Sequence, residues 1–224
     1  MKKDLANEIV GGLSRTSKLP FWSYGLSAFD CKTGSKLAKI KGTPCNRCYA
    51  RQGSYIRYPN VAKSHKKRKE ALSHPQWESA MVSLLEKQSY FRWFDSGDIQ
   101  NDAHFIKILK VTNSLPDCKF WLPTQEREIV EKYKSLIPDN IAVRISQAKV
   151  NQIPPKRNTN EPLALSSMVY TKDKADSLPP HVFKCLSPLQ DNTCKNCRAC
   201  FDKTVQCVGY LSHGRELPMV NRSI

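Results

Sequence analysis

Apolar and polar positions alternate in several short stretches of the chain and recur at helical spacing in the stretches between them. Phe21 to Phe29, with aromatic residues at alternating positions, reads as a first strand. From Val61 to Glu86 the pattern turns helical, with a break at His74-Pro75, where proline starts a second helix. Phe91-Arg92-Trp93-Phe94 then predicts a strand, Ala103 to Thr112 a helix, Lys119 to Leu122 a strand, Glu126 to Leu136 a helix, and Ile141 to Ile145 a strand. Strand and helix alternating at this spacing predict βαβ units and a parallel sheet. Leu163 to Val169 and His181 to Cys185 add two more strands. The predicted class is α/β, a compact partial or complete β/α barrel formed as one domain over residues 1–224. Residues 1 to 20, with Gly11-Gly12, read as an arm outside the core. Beyond Cys185 no regular period survives, and residues 185–213 read as a cysteine-rich metal-binding segment within the domain.

Hydrophobic residues make up 40% of the chain and charged residues 25%, which is ordinary globular usage, so a packed core is expected. The sign of the charge changes the picture. Against 20 Asp and Glu stand 36 Lys and Arg, leaving +16, an excess that a polyanion normally neutralises. DNA is the expected partner. Lys63, Lys66, Lys67, Arg68 and Lys69 on one predicted helix, with the lysines between Lys32 and Lys41, would grip phosphates without reading sequence. The alternative is a merely solubilising surface. No apolar run reaches about 18 residues, so no membrane span is expected. The residues after Met1-Lys2-Lys3 form no apolar signal segment, so a cytoplasmic location is expected.

Among nine cysteines, Cys185, Cys194, Cys197 and Cys200 stand out, because close Cys-x-x-Cys turns bring thiolates to one side of a loop where they can surround a metal. Zinc is the expected ion. The same spacing occurs in four-iron clusters, so an iron–sulfur cluster is the alternative. Cys207 or His213 would serve as fourth ligand in place of Cys185. Cys31, Cys45 and Cys48 either form a second site or join the first, and Cys118 reads as core.

Phe94-Asp95-Ser96-Gly97-Asp98 breaks an apolar strand with two acids and a glycine, at the strand end where such folds place their chemistry. Two neighbouring carboxylates repel, which separates their pKa values, so Asp95 and Asp98 are the expected catalytic pair, one nucleophile and one acid or base. The rival readings are that they hold Mg²⁺ or are solvated turn residues, and Asp102 reads as a helix N-cap. Ser96, Gly97, Gln100, Thr124, Gln125, Arg144 and Ser146 lie at or just after predicted strand ends and form the expected substrate-binding set. Trp93 and Trp121 read as core or as a stacking platform for a base.

Cys45-Asn46-Arg47-Cys48-Tyr49-Ala50, Asp95-Ser96-Gly97-Asp98 and the terminal cysteines together resemble a phage gene-product family with a Cys-x-x-Cys-Tyr-Ala motif. The architecture also resembles phage DNA guanine transglycosylases, relatives of tRNA-guanine transglycosylase. That second resemblance implies a barrel, an Asp-Ser-Gly turn at Asp95, Ser96 and Gly97, and zinc at Cys194, Cys197 and Cys200. It further implies a DNA-modifying enzyme, in the host cytoplasm if phage-encoded, that exchanges guanine for a 7-deazaguanine base through a covalent aspartyl intermediate. This chain is shorter, its cysteine spacing differs, and the late-strand nucleophilic aspartate has no counterpart, so Asp98 would take that role. The rivals are an iron–sulfur (radical-type) or Mg-dependent nucleic-acid enzyme, and a non-catalytic zinc-stabilised DNA-binding protein.

Overall fold

The structure is a computed structural model, and residues 1–158 and 163–217 are described. Seven strands form one all-parallel sheet: β1 (Ser23–Tyr24), β2 (Tyr90–Trp93), β3 (Lys119–Thr124), β4 (Ile141–Ser146), β5 (Ser166–Tyr170), β6 (Val182–Lys184) and β7 (Cys207–Leu211). They lie in the order β1-β2-β3-β4-β5-β7-β6. Each of the first four steps moves to the next strand in the same direction. Right-handed crossovers wound this way stack their helices on one face of a sheet and leave the other face free.

Period-two burial separates those faces. Phe91 and Trp93 of β2, Phe120 and Leu122 of β3, and Ile141, Val143 and Ile145 of β4 point into the main core. Against them pack α1 (Lys3–Val10), α5 (Trp77–Leu85), α6 (Asp102–Asn113) and α7 (Arg127–Lys132), through Val10, Trp77, Met81, Phe105, Ile108 and Val130. The alternate residues Arg92, Trp121, Pro123, Arg144 and Ser146 face the other way. There Trp121 joins Leu19, Phe21 and Phe201 in a second, smaller apolar cluster. Three further helices, α2 (Lys32–Leu37), α3 (Ser54–Arg57) and α4 (Pro59–Ala71), belong to the long connection from β1 to β2.

The sequence reading of α/β with a parallel sheet holds. Sheet pairing runs from β1 to β6 with no bond between these two among the described residues, so barrel closure is not seen. Three elements differ from expectation. Residues 3–10, expected as an arm, form α1, whose Ala6 and Val10 are fully buried against α5. The first strand shrinks to Ser23–Tyr24, because the chain turns at Ala28–Asp30 into a 3-10 segment capped by Ser27. The segment after Cys185 contains β7, inserted between β5 and β6. At α6 the N-cap is Asn101, whose side chain accepts from the His104 amide at 2.8 Å, whereas Asp102 pairs with Lys132 and the Tyr133 hydroxyl.

Candidate functional site

On the free face, at the C-terminal ends of the strands, lies an open cavity of about 850 Å³. Both cysteine groups border it. Cys31, Cys45 and Cys48 come from the connection after β1, and Cys185, Cys194 and Cys200 from the segment around β6 and β7.

The first group is held by short-range geometry. Thr43 caps the 3-10 segment Pro44–Arg47 that carries Cys45, and the Asn46 amide group donates to Ala38 O at 2.8 Å. The Thr33 amide and hydroxyl both donate to the Glu126 carboxylate, at 2.9 and 2.8 Å, pinning the start of α2 beneath the end of β3. Gly34 leaves room: a Cβ there would stand 3.0 Å from Cys31 Cβ, and 3.6 and 3.7 Å from the sulfurs of Cys31 and Cys45. Burial pushes the Cys31 thiol far above its ordinary value, with Asp98 and the neighbouring cysteines adding to the shift, and pushes Cys45 up to about 12. Burial also raises Cys48, against the backbone amide of Ala50 and the Arg51 charge. All three are therefore thiols until a metal displaces their protons.

The acidic turn forms the floor beside them. Phe94 takes a left-handed conformation (φ 57°), a strained choice for an aromatic residue, and Gly97 follows at φ 79°. A Cβ at Gly97 would lie 2.8 Å from Leu26 O, so the turn packs on the segment after β1 only because Gly97 has none. Asp98 is 5% exposed and engaged on both oxygens. Its Oδ1 accepts from the Thr124 hydroxyl at 2.5 Å and the Ile99 amide at 2.8 Å, its Oδ2 from the Gln125 amide at 2.8 Å. Burial raises its pKa to about 7, and these donors hold it from rising further. Asp95 accepts from the Ser23 hydroxyl at 3.0 Å and the Tyr55 hydroxyl at 3.2 Å, while Tyr49 donates to its carbonyl at 2.5 Å. Ser96 donates to Leu26 O at 2.7 Å and lies 3.1 Å from His65 Nε2. With its proton committed to that carbonyl, Ser96 accepts from His65 and is not a poised nucleophile.

Of the expected substrate-binding set, Ser96, Gly97, Thr124, Gln125 and Ser146 border the cavity. Gln100 instead braces the turn, donating to Asp98 O at 2.7 Å. Arg144 is 0% exposed, and its guanidinium donates to the carbonyls of Ala199, Cys200, Asp202, Val205, Gln206 and Ser166. It ties the cysteine segment to the sheet. Among the basic residues of α4, Lys63, Lys66, Lys67 and Lys69 are exposed, but Arg68 is 4% exposed and donates to Gly12 O, Ser14 Oγ and Gly25 O. With Nε and one terminal nitrogen spent inside the protein and 4% exposure, Arg68 is a structural residue rather than one of the exposed cations.

Cys207 sits in β7 among Met168, Tyr170 and Val182, away from the other cysteines, and Cys118 is core, as expected. His213 stacks on Tyr49 over the first cysteine group. Trp93 is core, whereas Trp121 borders the cavity with the Arg92 guanidinium 4.3 Å from its ring centroid. Burial works against the Arg92 charge, but Tyr49 and Asp95 outweigh it and raise its pKa. Arg92, Tyr49, Tyr55, His65 and Tyr210 were missed by sequence reasoning. Only Tyr49 had a signal, its place in the Cys-x-x-Cys-Tyr-Ala motif. Among the described residues, no three His, Cys, Asp or Glu side chains already stand as a group that could hold a metal ion.

The family described as Gene product 88 matches residues 2–204. The chain belongs to this family. The matched span includes both cysteine groups and the acidic turn, and the resemblance to a phage gene-product family is borne out at that level. The match lends no support to the transglycosylase resemblance. No curated protein and no solved structure matches the chain.

Proposed function

We propose that this protein is an iron–sulfur enzyme of the radical type acting on nucleic acid. The observation that carries the reading is the placing of Cys31, Cys45 and Cys48 on the wall of one large cavity at the C-terminal ends of the parallel strands. Iron–sulfur clusters are held by cysteine thiolates, four for a four-iron cluster, so three leave one iron open to the cavity. When bound, such a cluster supplies a low-potential electron for radical chemistry.

The chain's own groups fit that use. Gly34 keeps the space between the sulfurs of Cys31 and Cys45, and Arg51 favours their ionised form. Asp98, fixed by Thr124 and Gln125, is a buried carboxyl able to hold or release a proton near neutral pH. Arg92, stacked on the buried Trp121 ring, offers a cationic guanidinium face to an aromatic, anionic substrate. The net charge of +16 supports nucleic acid as that substrate.

Reconstitution with iron and sulfide under anaerobic conditions tests the reading. The wild type is expected to turn brown and to lose about four irons per chain in a Cys31→Ala/Cys45→Ala/Cys48→Ala variant. Equal iron in the two proteins, or zinc at these three cysteines, would sink it.

Base exchange in DNA is a second reading, favoured by one observation: Asp95 and Asp98 both border the cavity and Asp98 has an acid's raised pKa. Both Asp98 oxygens are already engaged by three donors, which suits a held carboxyl better than an attacking one. Incorporation of labelled 7-deazaguanine into DNA, abolished by Asp95→Ala, would favour it over the radical reading.

A further inference from the structure

We infer that Cys185, Cys194, Cys197 and Cys200 hold a second iron–sulfur cluster, facing the same cavity from the opposite side, with Tyr210 hydrogen-bonded to one of its ligands. It deepens the iron–sulfur reading above and rests on it for the partner centre only.

All four cysteines border one small hollow between the sheet and the C-terminal segment, walled by Phe21, Trp121, Phe201 and Val208. Cys185, Cys194 and Cys200 border the large cavity as well, so the hollow opens toward the reaction space rather than away from it. A redox centre must lie close to the group it exchanges electrons with, and this hollow adjoins the cavity that Cys31, Cys45 and Cys48 also line. Backbone hydrogen bonds tie the cysteine-bearing segments to the sheet, to the N-terminal loop and to one another. The Cys185 amide donates to Gly209 O at 2.8 Å, the Cys194 amide to Lys18 O at 2.9 Å, and the Cys197 amide to Cys194 O at 2.9 Å.

Charge gives an independent argument. Arg144 lies fully buried behind this segment and, among the described residues, forms no ion pair with a carboxylate. Its six carbonyl acceptors satisfy its N–H groups, and the carboxylate that acts on its charge, Asp202, is an exposed one. An anionic thiolate-ligated cluster beside Cys200, whose carbonyl accepts from Arg144 Nε at 2.8 Å, supplies a buried counter-charge. On the other side, Cys200 Sγ lies 3.2 Å from the Tyr210 hydroxyl. A hydroxyl donating to a ligand sulfur stabilises the reduced cluster and raises its potential, as outer-shell donors do. Four thiolates leave no open iron, so this centre takes one electron from a low-potential donor and passes it on, with no bond made or broken.

Iron, sulfide and zinc are measured on the full chain after anaerobic reconstitution, for three proteins besides wild type, with redox titration by dithionite followed by electron paramagnetic resonance. The Cys31→Ala/Cys45→Ala/Cys48→Ala variant is expected to keep about four irons and one signal. A Cys194→Ala/Cys197→Ala variant is expected to keep the other signal and lose this one. Tyr210→Phe is expected to keep the full iron content while shifting only this signal to lower potential, which a merely structural hydroxyl would not do. Zinc in place of iron at the C-terminal cysteines, or full iron in the Cys194→Ala/Cys197→Ala variant, overturns the inference while leaving the first cluster intact. Iron lost only on removing Cys194 and Cys197 sustains it and overturns the proposed function instead.

Discussion

His104 and Asp98 are buried within one short stretch of chain and pull stability in opposite directions with pH. The His104 ring is 3% exposed, accepts at Nδ1 from the Gln100 amide, and has no hydrogen-bond partner at Nε2 among the described residues. Burial lowers its pKa to about 3, against roughly 6.5 when unfolded. The unfolded chain therefore binds the extra proton, and stability is lost as pH falls below about 6.5. Asp98 is the reverse case: raised to about 7 by burial, it binds its proton more tightly when folded, so its contribution is lost as pH rises from about 4 to about 7. Between pH 7 and 5 each effect is worth about 2 kcal/mol, and they nearly cancel. In the metal-free protein, thermal unfolding at these two pH values is expected to shift little for wild type. His104→Leu is expected to gain stability on acidification, and Asp98→Asn to lose it. The same direction in both variants would contradict the assignment. Arg144 offers a test without pH: Arg144→Met removes the guanidinium from six carbonyls, those of Ser166 and Gln206 in buried bonds, and urea unfolding is expected to show a loss of at least about 3 kcal/mol. Arg144→Lys, with one compact ammonium, is not expected to restore it.

At the scale of elements, what the sequence revealed was what local pattern controls. The strands at residues 90–93, 119–124 and 141–146 and the helix break at His74-Pro75 follow from period and proline, and all stand within a few residues of expectation. Helix α1 was missed because Gly11-Gly12 suggested a loose arm, yet Gly11 is its left-handed C-cap, with its amide bonded to Asn7 O and Glu8 O. Its burial comes from α5, more than sixty residues away in sequence, which no local pattern discloses. Val10→Ala is accordingly expected to lower stability by about 1–2 kcal/mol in chemical denaturation, where an exposed arm would show no change. Strand β7 was hidden by the cysteines before it and by Gly209, where a Cβ would stand tightly, 3.0 Å from Val182 Cγ1. The site divides in the same way. Cys45-x-x-Cys48 and Asp95 to Asp98 were legible as motifs, but the meeting of Tyr49 with Asp95, Tyr210 with Cys200 and Arg144 with the C-terminal carbonyls depends on sheet register.

For the molecule as a whole, the net charge of +16 matters only through its distribution. Helix α4 splits it. One side, through His65 and Arg68, is buried toward the cavity, and the other presents Lys63, Lys66, Lys67 and Lys69 to solvent. Their local partners are weak competitors: Lys66 lies 4.0 Å from Glu70, both exposed, a pair contributing at most about 1 kcal/mol and screened by salt. Lys69 is better engaged, with Asp30 at 2.6 Å. On the proposed function, Lys63, Lys66 and Lys67 are therefore the exposed cations of α4 that would neutralise phosphates. Each phosphate contact contributes roughly 0.9 to the slope of log affinity against log salt on duplex DNA. Fluorescence anisotropy with one duplex across a salt series is expected to give a slope shallower by about 2 to 3 for Lys63→Ala/Lys66→Ala/Lys67→Ala, with the loss uniform across sequences. Arg68→Ala is expected to lower the melting temperature instead, because it strands the carbonyls of Gly12 and Gly25. An unchanged slope in the triple variant would remove α4 from the proposed nucleic-acid contact and leave the cavity's own charges, Arg92 above all, as the proposed contact.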